Sequence, residues 1–124
     1  MIKKVSFYLM GYLFTLMMFS SCNYDYIYPE PIPIRDFSFK TDIIPMFNKS
    51  CNASCHAKGA TPPDLSAANA YASIMAIPNL INITTPKESI FYVKLATGSM
   101  KDLGMTDADK TIFLKWIEQG AKDN

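Results

Sequence analysis

The sequence predicts an all-α domain, a bundle of short helices behind an N-terminal leader and an extended linker. Helix start and stop signals recur through the last two thirds of the chain. No run alternates apolar and polar residues with period two for long enough to argue for a sheet; "LINIT" at 80–84 is strand-like but short. The chain has 124 residues, enough for one small domain and not two. Roughly 85 of them form the helical part, which is small for a stable apolar core, so a large buried cofactor would help it fold.

The leader comes first. In "MIKKVSFYLMGYLFTLMMFSSC", Lys3 and Lys4 form a positive start, residues 5–19 carry no charge, and small residues precede Cys22. This is the layout of a cleaved secretory signal, residues 1–21. A cysteine directly after the small residues resembles the lipobox of bacterial lipoproteins, where it is acylated and becomes the first residue of the mature protein; Phe19 stands where leucine is usual. The competing reading is a retained transmembrane anchor, but the run is on the short side of the roughly 20 apolar residues a span needs. Either way the rest of the chain is expected outside the cytoplasm: in the cell envelope of a bacterium, anchored to a membrane, facing the periplasm or the cell surface. A single acyl chain binds membranes only weakly, so lipidation of Cys22 by more than one chain matters.

Loss of residues 1–21 removes two lysines and leaves 10 basic against 11 acidic side chains, a net charge of −1, which does not suggest nucleic-acid binding. With Cys22 acylated, Cys51 and Cys55 remain as a lone pair of thiols in an oxidising compartment, where cytoplasmic zinc or redox-sensing roles are poor explanations.

Residues 22–38, with Pro29, Pro31 and Pro33 among tyrosines, read as a semi-rigid polyproline-like tether. The first helix is predicted over 41–50. Thr41 is its expected N-cap, Asp42 suits the first turn, Pro45 comes early enough to be tolerated, and Ile43 and Phe47 share a face. The second is predicted over 66–77, ended by Pro78. For the third, Thr85 as cap, Pro86 as first residue and Glu88 as capping-box partner predict a helix to about residue 96, with Phe91 and Leu95 one turn apart. The last begins at Thr106, with Asp109 three residues on, carries the stripe Ile112, Phe113, Trp116 and Ile117, and stops at Gly120.

The chemistry concentrates in "CNASCH" at 51–56. Covalent haem attachment needs two thiols that reach the two vinyl groups, and an imidazole swung under the iron by the tether. The pattern C-x-x-C-H provides this. Here three residues separate the cysteines, and all three are small; an extra residue can bulge outward without disturbing the Cys55–His56 step. A structural zinc site would need a fourth ligand, for which Asp64 is the candidate carboxylate. A Cys51–Cys55 disulfide would close a very short loop and stabilise little. A nucleophilic Cys–His pair lacks an evident orienting partner.

A haem iron also takes a sixth ligand or keeps an open site, and a methionine thioether raises its potential. Met46 lies too close to the attachment site and Met75 lies in the second helix, which leaves Met100 and Met105 on either side of "KDLG". Met105 directly precedes the Thr106 cap, where an apolar residue staples a helix entry, so Met100 is the favoured distal ligand.

Taken together, "FKTDIIPMFNKSCNASCH", "PPDLS", "TTPKESIFYVKL" and "LKWIEQGAKDN" make residues 39–124 resemble a class I cytochrome c domain. More closely, they resemble the small single-haem domains of bacterial lipoproteins, or planctomycete-type cytochrome c. The resemblance implies a cytochrome c-like bundle around one covalently bound haem c, with first and last helices packed through Phe47 and Trp116 and the "PPDL" stretch beside the haem. It implies thioethers to Cys51 and Cys55, His56 as proximal and Met100 as distal iron ligand. The chain departs from the family pattern in its third spacer residue and in having Lys101, not proline, after Met100. The implied role is a membrane-anchored electron carrier, not a catalyst, serving redox proteins outside the cytoplasm. The alternatives are a non-haem binding or structural lipoprotein with a Cys51–Cys55 disulfide, and a peroxidase or sensor with an open iron site.

Overall fold

The structure is a computed structural model that describes residues 31–51 and 55–124. Residues 1–30, which hold the expected signal peptide, Cys22 and the tyrosine-rich part of the expected tether, lie outside the described residues, as do Asn52, Ala53 and Ser54. Among the described residues the chain is helical, with no strand, and no helix is long and apolar enough to cross a membrane.

The first helix opens as a π-turn, Phe39–Ile43, and continues as α1, Ile44–Ser50. Its N-cap is Ser38 and not Thr41 as expected. The Ser38 hydroxyl accepts the Thr41 N–H (3.3 Å), and the Asp42 carboxylate accepts the Ser38 N–H (2.8 Å). This is a capping box one residue wider than the usual one. The wider spacing matches the π-turn, in which the Ile43 N–H reaches the Ser38 carbonyl. Pro45 follows at once; a proline cannot donate to the carbonyl four residues back and collides with it, so a widened turn just ahead of it takes up the misfit.

Arg35 forks onto Asp42 through two bonds, 2.8 and 2.6 Å, and lies over the Phe37 ring at 4.6 Å. The last tether residues are thereby docked, with Phe37 buried in the core. The Arg35 hydrogen bonds, helped by the Ser38 N–H, hold the Asp42 carboxyl below the usual range. A depressed carboxyl contributes stability that is fully present above its unfolded pKa of about 4 and disappears as pH falls through the folded value. Asp42→Asn is therefore expected to melt earlier than the parent at about pH 6, with the difference closing toward about pH 2. Thermal melts across that window check it, and a constant offset would refute the assignment.

The second helix, α2, spans Ala70–Met75, shorter at both ends than the predicted 66–77. The Asp64 side chain accepts the Ser66 N–H (2.9 Å) and the Asn69 amide (2.8 Å), a local turn that competes with helix over 66–69. The third predicted helix divides into a 3₁₀ turn, Pro86–Glu88, and α3, Ile90–Ala96. The Thr85–Glu88 box does not form. Instead the Thr85 hydroxyl accepts the Asn82 amide (2.8 Å), and Asn82 Oδ1 takes the Thr84 and Thr85 N–H groups (3.0 Å each). The buried Ser89 hydroxyl, which accepts the Asn82 N–H (2.9 Å), marks the break.

Helix α4, Asp107–Glu118, forms as predicted. Thr106 and Asp109 exchange both capping-box bonds, 3.1 and 2.9 Å. Phe113, Leu114, Trp116 and Ile117 are buried, and Gly120, at φ +96°, turns the chain out of the helix. Thr106→Ala removes the cap, a loss of about 1 kcal/mol. That is expected to lower the melting temperature by about 4–8 °C, read by circular dichroism.

After Gly120 the chain folds back. Trp116 Nε1 donates to the Lys122 carbonyl (2.9 Å), and Asn124 accepts the Phe39 and Lys40 N–H groups (2.9 Å each), two donors that a helix start leaves without partners. Gln119 does the same service for the tether, accepting the Phe37 N–H (2.8 Å) and donating to the Arg35 carbonyl (3.0 Å). Between these ends sits an aromatic core. Ring contacts run Phe39–Trp116 (5.2 Å), Phe47–Phe113 (6.0 Å), Phe47–Phe91 (5.6 Å) and Phe91–Phe113 (5.0 Å). The first and last helices meet through Phe39–Trp116 and Phe47–Phe113, so the expected Phe47 and Trp116 each pair with another ring, and Phe91 of α3 packs on Phe47 and Phe113.

Candidate functional site

The core positions a cleft. Helix α1 ends at Cys51, whose N–H donates to the carbonyl of the buried Phe47 (2.8 Å). The His56 N–H donates to the Cys51 carbonyl (3.1 Å), which ties the histidine to the end of α1. Cys51 is half-buried, Cys55 is exposed, and both are free thiols. Burial, and then the neighbouring Cys55, push the Cys51 thiol up. It is therefore held neutral at pH 7, the opposite of an activated nucleophile.

His56 is 7% exposed. Its Nδ1 lies 3.0 Å from the Thr61 carbonyl oxygen and 3.1 Å from that of Pro63. A carbonyl can only accept, so Nδ1 carries the proton. In the neutral ring, Nε2 then keeps its lone pair, the arrangement in which a histidine serves as a metal ligand with a backbone carbonyl behind it. The segment that supplies these carbonyls is tied to the same turn: the Thr61 N–H donates to the Cys55 carbonyl (3.2 Å) and the Leu65 N–H to the His56 carbonyl (2.7 Å). The "PPDL" stretch thus acts through its backbone and through Leu65, which is fully buried.

Cys51, Cys55 and His56 line one cleft of about 270 Å³ together with Leu95 of α3 and the loop before α4, which contributes Met100, Leu103 and Met105. Gly104 in that loop, at φ +89°, faces the end of α1, where an added Cβ would make an ordinary contact, 3.4 Å, with the Ser50 hydroxyl oxygen. Met100 is half-buried and Met105 is 6% exposed. Both methionines expected as distal candidates therefore reach the site. Met105, expected to staple the helix entry, packs into the core cluster, and the staple's partner position one turn into α4 is Lys110.

Asp64 is not brought into the cleft. Its carboxylate is occupied by Ser66 and Asn69, and the Ser66 bonds, then Asn69, hold its pKa down. The fourth ligand of a zinc site is thus engaged elsewhere, and among the described residues no three His, Cys, Asp or Glu side chains group to hold a metal ion. The donor set suits a cofactor that brings most of its own ligands: one imidazole, two thiols and thioether sulfurs against apolar walls. Sequence reasoning missed Leu95 and Leu103 as walls and the two carbonyls behind His56. Backbone carbonyls leave no side-chain signature; the only local signal was the Pro62–Pro63 pair.

No protein-family model, curated protein or solved structure matches the chain.

Proposed function

We propose that the protein is a membrane-anchored c-type cytochrome domain that carries single electrons outside the cytoplasm. The observation that carries this reading is the His56 ring: buried, with Nδ1 committed to two carbonyls, and lining a cleft shared with both thiols of "CNASCH" and two methionines. Haem c supplies an iron that changes oxidation state by one electron. In this reading Cys51 and Cys55 would hold it through thioethers, and His56 Nε2 and Met100 would be its protein ligands on the proximal and distal sides. The carbonyls of Thr61 and Pro63 fix the imidazole's orientation and raise its basicity. A thioether ligand would favour the reduced iron, and the buried Leu95 and Met105 would supply apolar walls against the haem.

An electron carrier fits better than an oxygen- or peroxide-using enzyme. His56 is the only histidine of the chain, and its only arginine, Arg35, is forked onto Asp42. Neither leaves a distal acid–base group of the kind peroxide cleavage uses. Lipidation at Cys22 would supply the membrane anchor, and other redox proteins the partners.

The test is expression of the full chain with export and a haem-attachment system. Purified protein is expected to show the sharp reduced bands of a c-type haem and an intact mass raised by one haem. A mass equal to polypeptide plus lipid, with no visible absorption, would overturn the proposal. If that mass were also two hydrogens lower, the Cys51–Cys55 disulfide lipoprotein would stand in its place.

A further inference from the structure

Lys110 sits in the first turns of α4, yet its side chain is only 16% exposed, against 101% for Asp107 one turn earlier. A lysine normally keeps its ammonium in water, and one tucked in this far has a partner that holds it. The partner is the loop that lines the cleft. Lys110 Nζ donates to the carbonyl of Lys101 at 2.9 Å, while its approach to the fully exposed Asp107 carboxylate, 3.4 Å, is of the kind that contributes little. Lys101 is the residue directly after Met100.

The loop has few other ties across to α4. At its start the Gly98 N–H donates to the Val93 carbonyl (2.9 Å) and the Met100 N–H to that of Lys94 (3.0 Å), both on α3. The Lys101 and Leu103 N–H groups make only weak turns within the loop, each 3.3 Å. Leu103 itself is 56% exposed. A charge-assisted bond from the ammonium of a side chain only 16% exposed is stronger than these neutral ones, and its donor rides on the longest helix among the described residues.

We infer that Lys110 is a positioning residue for the distal side of the site. It fastens the Met100 loop to α4, and so sets how often the loop swings away and leaves that side open. This rests on the haem reading of the cleft for its functional meaning, while the fastening itself does not. A loop that opens ten times more often makes a competing ligand bind about ten times more tightly, because the binding-competent state is that much more populated.

The experiment compares the full chain with Lys110→Met, which keeps the apolar stem and loses the ammonium, and Lys110→Arg, which restores donors. The first readout is amide hydrogen exchange in peptides covering residues 98–105, with residues 35–47 as internal control. Lys110→Met is expected to speed exchange about tenfold in the first and leave the control unchanged, and Lys110→Arg to return it to near the parent. The second is titration of the ferric, haem-loaded protein with imidazole, followed by its spectrum. The apparent affinity is expected to rise about tenfold in Lys110→Met and to recover in Lys110→Arg. Unchanged exchange in residues 98–105 overturns the fastening role. Faster exchange with unchanged imidazole affinity overturns its connection to the iron. A chain that takes up no haem removes the haem reading, and the exchange result still decides whether Lys110 holds the loop.

Discussion

If the protein binds haem as proposed, replacing His56 with glycine is expected to remove the proximal iron ligand while both thiols remain. The exported protein should contain at least about tenfold less low-spin haem, since even loss of a supporting partner typically lowers metal affinity 10–100-fold. The same variant offers a sharper check. His56 is 7% exposed, so its removal leaves a hole inside the fold, not a notch on its surface. The carbonyls of Thr61 and Pro63 that received Nδ1–H remain on one side of that hole. Free imidazole added to His56→Gly should dock its own N–H on them, present its other nitrogen to the cleft, and restore the low-spin spectrum. N-methylimidazole, with no N–H to donate, should restore it less well. Equal rescue by the two would mean that the carbonyl pair does not set the ring. A parent-like spectrum in the unsupplemented variant would remove His56 from the iron.

The contrast between the two capping motifs shows what a sequence can reveal here. Thr106 and Asp109 lie within one turn and find nothing better nearby, so the pattern and the structure agree. Thr85 and Glu88 make the same pattern, yet Asn82, three residues upstream, offers an amide donor and an acceptor that satisfy the turn first. At the first helix the decisive partners are farther away. Arg35 and Asp42 shape the start from seven residues apart, and Asn124 closes it from the far end of the chain. Local chemistry was legible, and partners brought in by the fold were not. The site divides the same way. Cys51, Cys55, His56 and Met100 stood out by residue type and spacing, and the cleft contains all four. The carbonyls behind His56, the walls at Leu95 and Leu103 and the double role of Met105, buried in the core while lining the cleft, follow from tertiary packing.

Phe47→Ala is expected to have the largest effect on stability. The ring is fully buried and touches Phe39, Phe91 and Phe113 at centroid distances of 6.2, 5.6 and 6.0 Å. Truncating such a ring costs about 3–5 kcal/mol, the lost transfer energy plus the cavity left behind. Whole domains hold only about 5–15 kcal/mol, and small ones lie toward the low end. The haem-free chain carrying this change is therefore expected to be largely unfolded at 37 °C, and a covalently held cofactor that favours the native state should recover part of the loss. Val93→Ala provides the comparison, because that side chain is 42% exposed and its loss should stay within about 0.5 kcal/mol. Denaturant melts of both variants, with and without haem, measure the difference. A Phe47→Ala midpoint within error of Val93→Ala would mean that the aromatic core does not carry the domain. The effect should also reach the site, since the Phe47 carbonyl receives the Cys51 N–H at the end of α1. Loosening that turn lets the first thiol move relative to His56. Phe47→Ala should then lower the yield of haem-loaded protein more than its stability alone accounts for, when set beside a core truncation away from α1 such as Ile74→Ala, which removes another fully buried side chain.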